Sequence, residues 1–287
     1  MKKDEKHLHK PYAMTDEKSQ GRLLDIPTTE DHRSQFQHDR DRIIHSKAFR
    51  RLESKTQVVV SNESDHNRKR LTHSLEVMQI SDSMAYALGV NMSLTQAIAL
   101  GHDIGHTPYG HGGQKALEKI LEDHGLPGFK HNYQGLLVVN KFEDRYMDEG
   151  GLNLMFETRD GILKHTSIDS KKYNIRDYDD QLDGNRLWPI TIEGQIVRIV
   201  DEIAQRTHDT DDALRTGRIE IDELLDQKII IKVLDDNNDI TVKTIKTDIR
   251  QNKGRTISKI NFIFLFIFSP YILHPLNLIC NNFFHPK

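Results

Sequence analysis

Apolar residues recur at helical spacing along this chain, and on three of those stripes a histidine or an aspartate takes a place that belongs to the core. In RLTHSLEVMQISDSMAYAL, which ends at Leu88, His73, Val77, Ile80, Met84 and Ala87 follow one another at spacings of four, three, four and three. His73 therefore lies on an apolar helical face. SLTQAIALGHD repeats the arrangement, with Leu94, Ile98 and His102 rising at i, i+4, i+8 and Asp103 next in line. In TIEGQIVRIVDEIAQRTHD, Val197, Asp201, Ala204 and His208 share a face, beside a stripe of Ile192, Ile196, Ile199 and Ile203. A carboxylate in line with core residues is costly unless a charge or a metal compensates it. The pattern predicts an all-α bundle in which metal-type groups point inward.

Each of these residues has an ordinary reading by itself. A lone histidine on an apolar face is more often a hydrogen-bonded core residue, and a lone buried aspartate more often caps a helix or pairs with an arginine. Taken together, His73, His102, Asp103 and Asp201 form a set of two imidazoles and two carboxylates that can converge on one divalent ion. Mixed histidine and carboxylate donors suit Mn, Fe, Mg or Zn rather than a closed thiolate site.

The order H, then HD about thirty residues on, then D about a hundred later resembles the HD-domain metal-dependent phosphohydrolases. Flanking segments narrow the resemblance to the deoxynucleoside triphosphate triphosphohydrolases typified by dGTPase: HRSQFQHDRDRIIHSKAFRRLESKTQV, NRKRLTHSLEV, AIALGHDIGHTPYGHGG, FKHNYQGL, GLNLMFETRDGILKH and EGQIVRIVDEIAQRTHDTDDALRTG. These run from about His32 to about Ile219, roughly two thirds of the chain. The resemblance implies an HD-domain helical bundle that hydrolyses a dNTP, dGTP or a broader set, at the α-phosphorus to deoxynucleoside and tripolyphosphate.

It also implies roles. The metal would be held by His73, His102, Asp103 and Asp201. His111, nine residues after His102, matches the general acid, with His106 and His131 as neighbouring phosphate-binding or proton-shuttling imidazoles; histidine suits both tasks because it titrates near neutrality. Arg50, Arg51 and Arg70 lie in matched segments, and a guanidinium binds phosphate oxygens in a bidentate fork. Arg70, one turn before His73, is expected to face the phosphate. Asp209 resembles the contact to the sugar hydroxyl, and Lys164 and His165 are neighbouring candidates without an assigned role. Two positions depart from the family pattern. Gln114 stands where a carboxylate usually supports the catalytic histidine, and Gln205 stands where a tyrosine usually lies near the sugar. Two other readings stay open: an HD phosphohydrolase acting on nucleoside monophosphates or cyclic nucleotides, and a non-catalytic relative that binds metal or nucleotide.

Composition adds bounds. The 287 residues can bury a sizeable core, and 40 Lys and Arg against 43 Asp and Glu give no general attraction to nucleic acid or membrane. The single cysteine, Cys280, excludes an internal disulfide and agrees with a reducing cytoplasm. MKKDEKHLHKPYAM lacks the apolar stretch of a signal peptide. Four regions are expected: a loosely ordered polar extension over 1–29, the HD domain over 30–220, a divergent segment over 221–256 with a small β-hairpin within 228–245, and an apolar tail over 257–287. The glycine-rich GHTPYGHGGQ reads as a loop over the metal, and the stretch from Lys171 to Trp188 as an exposed connection. Pro270, His274, Pro275 and Asn277 interrupt the tail and disfavour a membrane helix. The C-terminal helices usual in the family are expected to be missing or replaced. Family members assemble as homo-oligomers, often with an allosteric nucleotide, and both are implied here.

Overall fold

The computed structural model describes residues 9–26, 31–56, 69–144, 150–215 and 218–220. The expected hairpin, the segment over 221–256 and the apolar tail lie outside them. In chain order the helices are α1 (Gln35–Ile44), α2 (Lys47–Arg51), α3 (Arg70–Leu88), α4 (Met92–Gly101), α5 (Gly110–Asp123), α6 (His131–Leu137), α7 (Phe156–Lys164) and α8 (Ile192–Arg215). Among the described residues there are isolated bridges but no sheet, so these residues adopt the expected all-α class. None of these helices is long and apolar enough to cross a membrane. Residues 1–201 form one compact unit and a second begins at Glu202, within α8.

Helix α4 is the centre of the first unit. Every residue from Ser93 to Gly101 except Gln96 is buried, as expected of a helix that is apolar or small on all sides. Asn91 caps it, its side chain accepting from the Leu94 N–H. Helices α1, α3 and α7 pack around it. The α4–α7 crossing is close because each helix offers a glycine to the other's isoleucine. A methyl group on Gly101 would stand 2.6 Å from Ile162 Cδ1, and one on Gly161 2.5 Å from Ile98 Cδ1. This tight crossing sets the distance between the end of α4, which carries His102, and the end of α7, which carries His165.

Two local expectations are corrected. Residues 9–26 are tied down despite their polarity: Ala13 is fully buried, the Met14 N–H donates to Glu193 Oε1 at 3.0 Å, and Arg22 pairs with Asp39 at 2.6 Å. The stretch from Lys171 to Trp188 is not a simple exposed connection. Tyr173, Ile175 and Leu182 join Tyr133, Leu136, Phe156 and Leu163 in a second apolar cluster, and Asp179 makes a buried ion pair with Arg159. On α8 the buried apolar side chains are Ile196, Val197, Val200 and Ala204, whereas Ile192, Ile199 and Ile203 are only partly covered. The isoleucine stripe therefore flanks the core face that Val197 and Asp201 mark.

Candidate metal centre

Three helices deliver the four expected donors. His73 sits one turn into α3, His102 closes α4 with Asp103 beside it, and Asp201 lies midway along α8. Asp201 Oδ1 is 3.0 Å from His73 Nε2 and 3.5 Å from His102 Nε2. Asp103 Oδ1 is 3.6 Å from His102 Nε2, and its Oδ2 is 3.9 Å from His73 Nε2. Donor atoms bound at about 2.0–2.2 Å to one divalent ion stand roughly 3 to 3.5 Å apart when adjacent, so this spacing matches a coordination shell. The His73, His102 and Asp103 side chains are at most 4% exposed, but that of Asp201 is 17% exposed, so the cluster opens to solvent on the Asp201 side.

The chemistry of the donors fits a cation too. His102 Nδ1 lies 2.6 Å from the Ala99 carbonyl and must donate to it, which leaves Nε2 facing two carboxylates. That nitrogen is buried and has no hydrogen-bond partner among the described residues. A neutral imidazole there would set a lone pair against anionic oxygens. Burial disfavours the charged form of His102, yet Asp103 and Asp201 outweigh it and raise its pKa to about 9. Burial likewise opposes charge on Asp103 and Asp201, but His102 and the other cations around them hold both well below the usual carboxylate range. The cluster demands positive charge, and a divalent ion displacing the proton from His102 supplies more of it than the proton does.

Around this centre the imidazoles form a chain of rings. His102 meets His73 at 5.4 Å and His165 at 5.1 Å between centroids; His165 meets His131 at 5.3 Å, His131 stacks on His106 at 3.8 Å, and His106 meets His111 at 5.9 Å. Burial, followed by the charges of neighbouring groups, shapes their basicity: His106 falls to about 4, His131 well below its ordinary value and His165 below it. His106 Nε2 lies 3.2 Å from Asp103 Oδ1.

A family model described as the HD domain matches residues 70–206. Three curated relatives share the name deoxyguanosinetriphosphate triphosphohydrolase-like protein. The one from Ralstonia pickettii (strain 12J) is 49% identical over 218 residues, 75% of this chain and 54% of its own length. The Geobacter metallireducens protein is 50% identical over 197 residues, 68% of this chain and 49% of its own. That of Nitrosomonas europaea is 48% identical over 229 residues, 78% and 58%. The chain belongs to the dGTPase-like family of HD-domain proteins. It spans about half the length of the curated relatives it matches.

In this dGTPase-like chain the other expected site residues divide by position. The first turn of α5 carries His111 and Gln114, so the anticipated loop over the metal ends at Tyr109, whose φ of 63° starts the helix. Glycines at 110, 112 and 113 are tolerated there because the first-turn N–H groups need no helical partner. His111 is exposed. The hydrogen bond that Gln114 makes is to His131, its Oε1 accepting from His131 Nδ1 at 2.8 Å. Arg70 is 2% exposed, and its Nη1 donates to Asp103 Oδ2 at 2.7 Å. Arg50 and Arg51 are exposed on α2. Arg51 edges a cavity of about 490 Å³ that also reaches Lys55, His106, Leu121 and Phe129. Gln205 is half-buried and Asp209 exposed on the part of α8 that belongs to the second unit. Lys164 is taken up by a buried pair with Asp160 at 2.6 Å.

Sequence reasoning missed Lys55 and left His165 without a role. Lys55 Nζ donates to the His106 carbonyl at 2.5 Å and tethers the loop that follows Asp103. Burial, then the nearby Arg70 charge, lowers its pKa. Nothing in the local pattern of LESKTQV marks this lysine. For His165 a signal existed: ILKH continues the stripe of Ile162, and a histidine closing a buried helix has nowhere to point but inward.

Proposed function

We propose that this chain hydrolyses deoxynucleoside triphosphates, dGTP or a broader set, at the α-phosphorus, with a divalent ion held by His73, His102, Asp103 and Asp201. The convergence of those four side chains from three helices carries the reading, and the printed name of the relatives supports the substrate class. A bound ion would acidify a water and offset charge on a phosphate oxygen.

The remaining work falls to the chain's own groups. The 5′ oxygen leaves as a poor leaving group unless it gains a proton, and we assign that proton to exposed His111 on the first turn of α5. His106, neutral near pH 7, would hydrogen-bond the phosphate without repelling the ion. Gln114 positions His131, and Arg70 positions Asp103. Arg50 and Arg51 are the cations we assign to the outer phosphates, and Gln205 and Asp209 to the sugar. A homo-oligomer and an activating nucleotide belong to the same reading.

Incubation of purified protein with each dNTP and Mn²⁺ or Mg²⁺, followed by chromatography of the products, tests it. Deoxynucleoside and tripolyphosphate in equal amounts are expected, with none after chelation. Orthophosphate from nucleoside monophosphates, or ring opening of cyclic nucleotides, would favour the other HD branch. Nucleotide-dependent thermal stabilisation without turnover would favour a non-catalytic relative.

A further inference from the structure

Lys55 joins two of the elements that carry the metal donors. Its backbone carbonyl accepts from the Arg70 N–H at 3.0 Å, a first-turn donor of α3 that no helical carbonyl reaches. Beside it Thr56 and Lys69 form an antiparallel bridge. The side chain runs the other way. Its Nζ donates to the His106 carbonyl at 2.5 Å and lies 3.5 Å from the Ile104 carbonyl, both in the loop that follows Asp103.

These contacts close a circuit through Asp103. Arg70, started by the Lys55 carbonyl, donates from Nη1 to Asp103 Oδ2 at 2.7 Å. Asp103 Oδ1 is 3.2 Å from His106 Nε2, and the His106 carbonyl returns to Lys55 Nζ. An ionised Asp103 only accepts, so His106 Nε2 carries the hydrogen and each carboxylate oxygen is held by one donor. Arg70 and His106 set the plane of that carboxylate, and Lys55 sets the span between Arg70 and His106. The loop has no room to retreat on its other side, where a methyl group on Gly105 would overlap the His131 carbonyl and the Gly135 backbone nitrogen.

An ammonium in this place is costly. Burial disfavours its charge, the Arg70 guanidinium repels it, and both lower its pKa. A cation this close to Asp103 also opposes the entry of a metal ion. We propose that Lys55 is a positioning residue of the metal centre: through Arg70 and His106 it fixes the direction in which Asp103 presents its carboxylate, and so sets how tightly the divalent ion is held. The inference rests on the ligand set of His73, His102, Asp103 and Asp201 and not on the substrate reading.

Mn²⁺ binding to the full chain, stripped with chelator and followed by electron paramagnetic resonance of the free ion, tests it without any nucleotide. Lys55→Met keeps the stem and removes the donors, and is expected to weaken binding about tenfold, as loss of groups that orient ligands does. Lys55→Arg, which can donate to the same carbonyls, is expected to recover most of that loss. Equal affinity of Lys55→Met and the unaltered chain overturns the proposal and leaves the ligand set standing. Equal losses in both variants overturn it too, because packing and not donation would then be at work. No Mn²⁺ binding by the unaltered chain overturns the ligand set and this inference together. Coupling is reciprocal, so a bound ion must tighten the tether in turn. In the unaltered chain, acetylation of Lys55, read by mass spectrometry of its peptide, is expected to slow several-fold with Mn²⁺. That measurement decides if Lys55→Met does not fold, and a rate indifferent to the ion overturns the proposal.

Discussion

At the scale of single residues, the structure separates groups that compensate one another from groups that await a partner. Glu193 is fully buried, and its Oε1 accepts from the Met14 and Asn91 N–H groups while Oε2 has no hydrogen-bond partner among the described residues. Burial raises its pKa, against the pull of those two N–H groups. A carboxyl whose folded pKa exceeds its unfolded value stabilises the fold in acid and loses that contribution as pH rises through the folded value. Glu193→Gln keeps the acceptor and removes the charge, so its thermal midpoint should exceed that of the unaltered chain at pH 8 and converge with it near pH 4. A lower midpoint at pH 8 would contradict this. His73→Ala removes a ligand outright, and calorimetric titration with Mn²⁺ should show its tightest binding event lost. Histidines and aspartates on apolar stripes were legible because a polar residue in a core register is conspicuous. Gln114 was legible as a departure but not as the partner of His131, since that pairing joins residues seventeen apart on two different helices.

At the scale of elements, periodicity revealed α3, α4 and the first turns of α8, and it failed at α7. All nine residues from Phe156 to Lys164 are buried although four of them are charged. Two find partners elsewhere, Glu157 with Ser19 and the Gln20 N–H and Arg159 with Asp179, while Asp160 and Lys164 pair with each other one turn apart and Asp160 also accepts from the distant Ile190 N–H. Burial secured by distant partners leaves no trace in a local pattern, which is also why the stretch from Lys171 to Trp188 read as exposed. Arg159→Met leaves the buried Asp179 charge without its cation, with only the Asn140 amide and the Gln181 N–H still donating to it, and urea unfolding should register a loss on the order of 3–5 kcal/mol. A loss under about 1 kcal/mol would mean that the pair is not buried in solution. The loop after Asp103 depends on close approach as well. A methyl group on Gly105 would overlap the His131 carbonyl and the Gly135 backbone nitrogen, neither of which can turn aside. Gly105→Ala is expected to cost about 1–3 kcal/mol by overpacking, and to weaken Mn²⁺ binding because the same loop carries Asp103 and His106.

At the scale of the whole molecule, the helical class and the convergence of His73, His102, Asp103 and Asp201 were legible in the sequence because each of these residues is tied to a helix already committed to the core. The second compact unit begins inside α8, immediately after Asp201. The chain matches its relatives over about half of their length. A divalent ion that binds only the folded chain should raise its unfolding free energy by about 2.7 kcal/mol at a hundred times its dissociation constant, visible as a higher melting temperature that chelator reverses. Hydrolysis of dGTP in ¹⁸O-labelled water with Mn²⁺, read by mass spectrometry, is the most direct test of the proposed attack of water on the α-phosphorus. The account predicts one ¹⁸O in tripolyphosphate, none in deoxyguanosine, and no reaction with Asp201→Ala. Label appearing in orthophosphate or pyrophosphate, or no turnover of any dNTP by the unaltered chain, would contradict it.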